Sequence, residues 1–170
     1  MSTIEKAIEI ASRAHAGQVD KAGAAYVLHP LRVMLAVTTP FERMAAVLHD
    51  TVEDTTVTIA ELIDEGFPAE VVEAIEALTK REGESRLEAA RRAATNPTAL
   101  VVKLADVTDN INIDRIPNPS DIDIARLNEY KQVKDFLEKE AVHRRTTIQT
   151  HSHPEQGEGI IQVIKCTKLG

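Results

Sequence analysis

One cysteine, Cys166, stands among the 170 residues, so no internal disulfide can form and a reducing compartment is expected. Tryptophan is absent, and two tyrosines and three phenylalanines hold aromatics at 3%. A core must then be assembled from alanine, valine, isoleucine and leucine, which suits packed helices. No uninterrupted apolar run could span a bilayer, and Met1-Ser2-Thr3-Ile4-Glu5-Lys6 lacks the charged-then-apolar order of a signal peptide. These absences predict a cytoplasmic protein. Positive charge is also short. The formal net charge of -7 argues against non-specific partnership with nucleic acid or anionic membrane. An acidic chain that handled a phosphate ester would need a metal ion or a local basic cluster. The length suits one domain with a real core.

What the chain does contain is organised around Ala45-Ala46-Val47-Leu48-His49-Asp50-Thr51-Val52-Glu53-Asp54. An apolar run delivers a histidine beside an aspartate, and a second acidic pair follows within one helical turn. If the stretch is helical, His49 and Glu53 share one face, as do Asp50 and Asp54. Carboxylates leaving a buried run repel each other and resist desolvation unless a cation sits among them. No lysine or arginine occurs between Arg43 and Lys80, so a metal ion is the simplest resolution.

Periodicity predicts about eight helices. They cover residues 3–16, 26–37, 39–50, 57–65, 68–78, 85–95, 98–111 and 120–143. Thr39-Pro40 and Ser85 supply start signals, and Gly17, Gly66 and Asn96-Pro97 supply stops. Residues 144–170 break the pattern. His151-Ser152-His153-Pro154 is polar and turn-rich, with no role expected for either histidine, and Ile160 to Cys166 favours β structure. This tail reads as a loosely attached appendage, either one strand or a dimer contact.

Four separated positions look like parts of one metal centre: His29, His49, Asp50 and Asp106. Each adjoins an apolar helical segment and can project into a shared cleft. Two imidazoles and two carboxylates suit Mn²⁺, Fe²⁺ or Zn²⁺ and leave coordination positions open, as a hydrolase requires. Glu53 and Asp54, one turn beyond, are placed to take a proton from water. Lys80, Arg81 and Arg86 form a basic patch that is either a phosphate clamp or a solvated helix end. His15 reads as a supporting or capping histidine.

The phrases His15-Ala16-Gly17-Gln18, Tyr26-Val27-Leu28-His29-Pro30-Leu31-Arg32-Val33, Val47 to Thr55, Leu78-Thr79-Lys80 and Lys103-Leu104-Ala105-Asp106 occur in a fixed order. This arrangement resembles the HD-domain superfamily, and within it the RelA/SpoT-type (p)ppGpp hydrolase domain, including free-standing small alarmone hydrolases of the metazoan SpoT homologue kind. The resemblance covers residues 3–135. It implies an all-α HD-domain helical bundle occupying residues 1–143, with one Mn²⁺ on His29, His49, Asp50 and Asp106. It further implies that Glu53 and Asp54 activate water, and that Lys21, Tyr26, Asn110 and Tyr130 touch a small nucleotide substrate. The implied reaction removes the 3′-pyrophosphate of guanosine tetra- or pentaphosphate, leaving GDP or GTP.

The chain departs from that pattern at three places. Asp20 stands where a basic residue usually precedes Lys21, Ala25 replaces a proline, and Val107-Thr108-Asp109 replaces Arg-Leu-His. Asp20 and Asp109 are expected to weaken or redirect phosphate binding. Two alternatives therefore stay open: an HD-type phosphatase or phosphodiesterase for another nucleotide, such as an adenosine 3′-pyrophosphate, and a non-catalytic regulatory module that keeps the metal as structure.

Overall fold

The computed structural model describes residues 1–112, 115, 116 and 118–151, with residues 145 and 147–151 as backbone only. Nine helical segments lie among them: α1 (Ile4–Ala14), α2 (Leu28–Ala36), α3 (Pro40–Leu48), α4 (Thr51–Asp54), α5 (Ile59–Asp64), α6 (Ala69–Leu78), α7 (Arg86–Ala93), α8 (Pro97–Asn110) and α9 (Asp121–His151). The described residues contain no strand, only an isolated bridge between Val19 and Ala25. The architecture is all-α, as the sequence predicts. No helix among the described residues is long and apolar enough to cross a membrane.

Local chemistry fixes most of the starts. Thr39, Thr58 and Ser85 each close a capping box with a glutamate three residues on, and Asn96 accepts the Ala99 N–H at 2.9 Å. Pro40 and Pro97 occupy first turns, where no N–H is needed. Gly66 ends α5 at φ 79°, a conformation that an L side chain resists.

Two small cores share one wall. Met44, Ala45, Ala46, Val47 and Leu48 are all buried, so α3 is covered on every side by α1, α2, α6 and α8. Alanines at 45 and 46 let these neighbours approach closely. The second core packs Val133 and Leu137 of α9 against Ala90, Ala94, Leu100 and Val107 of α7 and α8. α8 belongs to both, giving Ala99 and Val102 to the first core and Leu100 and Val107 to the second. The groove where the cores meet becomes the cleft described below.

The structure differs from the predicted helices in two places. The helix expected to run to Asp50 stops at Leu48, and Thr51–Asp54 forms a separate turn. The cause is competition for carbonyls: His49 Nδ1 donates to Ala46 O and Thr51 Oγ1 donates to Leu48 O, both at 2.7 Å. His49 and Glu53 therefore do not share one continuous helix face. Asp50 and Asp54 keep their one-turn spacing through the Asp54 N–H bond to Asp50 O at 2.9 Å. The long last helix continues past His143 to His151. The β-favouring run Ile160 to Cys166 lies outside the described residues.

Candidate metal centre

The break after Leu48 is what aims the central histidine. His49 Nδ1 is committed to Ala46 O, a pure acceptor, so Nδ1 carries a proton and Nε2 points at Asp50 and Asp106. His29, in the first turn of α2, is fixed the same way, with Nδ1 donating to Asp109 Oδ2 at 2.7 Å. Both imidazoles thus present Nε2 inward. His29 Nε2 lies 3.2 Å from Asp106 Oδ1 and 3.6 Å from Asp50 Oδ2. His49 Nε2 lies 3.1 Å from Asp50 Oδ2 and 3.6 Å from Asp106 Oδ1. Ligand atoms of His29, His49 and Asp50 fall within 4.8 Å of one another.

Buried and without a hydrogen-bond partner, His49 Nε2 is an orphan although two carboxylates stand beside it. That geometry suits a cation shared among the four groups better than a hydrogen bond between any two. The electrostatics agree. Burial opposes charge on each imidazole, yet Asp50 and Asp106 push His49 up to about 10, and hydrogen bonds to Asp106 and Asp109 raise His29. Burial likewise opposes ionisation of Asp50, but the His49 charge lowers it to about 2. Asp106 is held well below the usual carboxylate range by Lys103, then His29 and His49. The pocket demands positive charge, and the donor set of two imidazoles and two carboxylates fits a divalent ion.

A second ring of contacts orients these groups. Tyr26 Oη donates to Asp50 Oδ2 at 2.5 Å, and burial followed by the Asp50 charge pushes its hydroxyl far up, so it stays protonated. Asp106 receives Lys103 Nζ at 2.9 Å and Asn110 Nδ2 at 2.6 Å. Sequence reasoning found no cation near the acidic stretch, but Lys103 supplies one from α8. Its i,i+3 spacing to Asp106 was readable as a helix-face pair. Asp109 was also misread. It faces away from the cleft's phosphate side, accepting His29 Nδ1, Arg32 Nε at 2.7 Å and Arg115 Nη2 at 3.2 Å. No local sequence signal pairs Asp109 with a histidine eighty positions earlier. Asp20 lines the cleft, but its Oδ1 accepts the N–H groups of Ala22 and Ala24, each at 2.9 Å, closing its own loop. His15 is buried, with Nδ1 at 2.8 Å from Gln18 Oε1 and its ring 4.9 Å from Tyr26.

Above the cluster opens a cleft of about 370 Å³, within the range of small-molecule sites. Its lining includes Lys21, Glu53, Asp54, Lys80, Arg126 and Tyr130. Glu53 Oε2 accepts the Lys80 backbone N–H at 2.8 Å, which aims its carboxylate from the opposite wall. Asp54 is pushed up by burial, then by Asp50 and Glu53. Lys21 pairs with Asp123 of α9, and Arg86 pairs with Glu129 at 2.9 Å and lies 5.0 Å over the Tyr130 ring. Of the positions singled out from the sequence as ligand, base or substrate contact, all but His49 line this one cavity, and His49 stands buried 3.1 Å from Asp50. Arg81 is not among the lining residues.

Comparison with known proteins places this geometry. A family model described as HD domain matches residues 7–127. Over 120 residues the chain is 34% identical to a guanosine-3′,5′-bis(diphosphate) 3′-pyrophosphohydrolase of Aquifex aeolicus, covering 64% of the chain and 17% of that protein. Over 148 residues it is 33% identical to a GTP pyrophosphokinase of Streptomyces coelicolor, covering 79% and 16% respectively. The chain thus spans less than a fifth of these curated relatives. Among solved structures, one described as a metazoan orthologue of SpoT that hydrolyses ppGpp superimposes with a TM-score of 0.69 at 24% identity. That likeness covers 81% of this chain and 86% of the other, and shows a shared fold.

Proposed function

Because the chain belongs to the HD-domain family, we propose that it is a metal-dependent phosphohydrolase that removes the 3′-pyrophosphate of a guanosine tetra- or pentaphosphate, leaving GDP or GTP. The observation that carries this reading is the orphaned, buried Nε2 of His49 between two carboxylates, under a cleft whose wall holds Glu53 and Asp54. The activity named for the Aquifex aeolicus relative supports this choice of substrate.

In this reading His29, His49, Asp50 and Asp106 hold one Mn²⁺, with Fe²⁺ and Zn²⁺ as the alternatives their donor set also accepts. When bound, such an ion polarises a phosphoryl oxygen and eases deprotonation of water. The protein does the rest. Glu53, aimed by the Lys80 N–H, takes the proton as water adds to the phosphorus on the 3′ oxygen. The P–O3′ bond breaks, pyrophosphate leaves and the 3′ oxygen regains a proton. Asp54, with its raised affinity for protons, is the neighbouring relay. Lys21, Lys80 and Arg126 meet phosphate charge, Tyr130 offers an aromatic face, and Tyr26 and Asn110 hold Asp50 and Asp106 in place. Residues 1–143 are taken as the catalytic domain, in a cytoplasmic setting that suits the lone Cys166.

Asp109 does not line the cleft and is engaged by His29, Arg32 and Arg115, whereas Asp20 lines it and keeps the adenosine alternative in the test. The test is pyrophosphate release with Mn²⁺ from a panel of guanosine and adenosine 3′-pyrophosphates, in wild type and Glu53→Gln, with bound metal measured in both. Release from a guanosine substrate, lost in the variant while metal is kept, supports the reading. Release only from adenosine substrates, or metal without turnover on any nucleotide, overturns it.

A further inference from the structure

Lys21 is the cation of the first loop, and its Nζ contacts Asp123 Oδ1 across the cleft mouth. Asp123 is 102 positions away, in the first turn of α9, and only 14% of its side chain is exposed against 45% for Lys21. The carboxylate is itself positioned. Ser120 N and Oγ donate to its Oδ2 at 3.0 and 2.6 Å, and the Asp123 N–H returns a bond to Ser120 Oγ. A capping box thus leaves Oδ1 free to meet the lysine. Lys21, Ser120 and hydrogen bonding together hold Asp123 well below the usual carboxylate range. Both residues line the same cleft as Glu53 and Arg126.

We propose that Asp123 is an intramolecular competitor for Lys21, a tethered anion that any phosphate group of a ligand must displace to use that lysine. This rests on the reading above that Lys21 meets phosphate. A partly exposed ion pair is weak, so exchange of one anion for another is feasible. The tether nonetheless gives Asp123 a standing effective concentration that a free ligand must beat. Asp123 therefore weakens the hold on every phosphate that reaches Lys21, and it retakes the lysine as pyrophosphate departs. It sets affinity and product release without touching the reacting atoms.

The test is calorimetric titration of inorganic pyrophosphate into the full 170-residue chain, as wild type, Asp123→Asn, Lys21→Met and the double variant. Asparagine can still accept from Ser120, so α9 keeps its cap while the charge is removed; circular dichroism checks this. Expected is about fivefold tighter binding in Asp123→Asn, with no such gain when Lys21 is already methionine. An equal gain in both backgrounds would mean a general charge effect and overturns the competitor. Unchanged binding in Asp123→Asn overturns it too, while leaving Lys21 as a phosphate contact if Lys21→Met binds more weakly. If Lys21→Met binds as tightly as wild type, or no protein binds pyrophosphate, the underlying reading of Lys21 fails as well.

Discussion

At the floor of the cleft, His29, His49 and Asp106 are 6%, 2% and 4% exposed; the two histidines are locked by acceptors, Asp109 Oδ2 and Ala46 O, and Asp106 by the Lys103 donor. At its rim, Lys21 and Arg86 keep 45% and 34% of their side chains in solvent and are held by carboxylates of α9, Arg86 also lying over the Tyr130 ring. The floor spends its hydrogen bonds on orientation, which brings His29, His49 and Asp50 within 4.8 Å of one another with Asp106 beside both imidazoles. The rim spends its charges on one another, in solvent-screened pairs that are individually weak. Reaction chemistry is therefore built into packing, whereas the choice of ligand is left to contacts that single substitutions can retune.

Four substitutions strain that contrast, in descending order of effect. Asp106→Ala should empty the floor: metal content by elemental analysis falls to background, and turnover drops by about a thousandfold or more. If metal stays at wild-type level, Asp106 is not a ligand. Glu53→Gln should cost about 10² to 10⁴ in kcat with metal retained, separating the proton acceptor from the ligand set; a matching loss of metal would move Glu53 to the floor. For Asp109→Asn the expected loss is about 10- to 100-fold in metal affinity, read by competition with a chelator, because His29 loses the charged acceptor that fixes its ring. No change there would leave Asp109 as a clasp for Arg32 and Arg115 alone.

The smallest effect belongs to Glu84, beyond the rim. Hydrogen bonds from Arg92, then from the Arg81 N–H, hold its pKa down at about 2. A depressed carboxylate contributes stability that is fully present above its unfolded value near 4.5 and is lost as pH falls through about 2. Wild type and Glu84→Gln should thus differ in thermal midpoint at neutral pH and converge between those values. A gap that persists at pH 2 would mean the glutamate acts through packing.

Sequence and structure agree best where local rules suffice. Thr39-Pro40 and Ser85 start helices because a side-chain oxygen replaces a missing backbone acceptor, which is legible within four residues. His29, His49, Asp50 and Asp106 were legible through apolar flanks and a family resemblance. Less visible was everything that depends on one element crossing another. The end of α3 was set two residues too late because side-chain donors at His49 and Thr51 outbid the helix ladder. Asp109 looked like an obstacle to phosphate because its partner, His29, is defined only by the folded path. Asp123 gave no sign at all.

The bond from the Lys80 main chain to Glu53 makes the aim of the proposed proton acceptor a property of chain path rather than of any side chain. Every amino acid but proline carries that donor. Position 80 can therefore drift through mutation without loosening Glu53, and a saturation library there reports what its side chain does for the ligand, uncontaminated by loss of the base. A chain that keeps its catalytic geometry in the backbone can change its clientele cheaply.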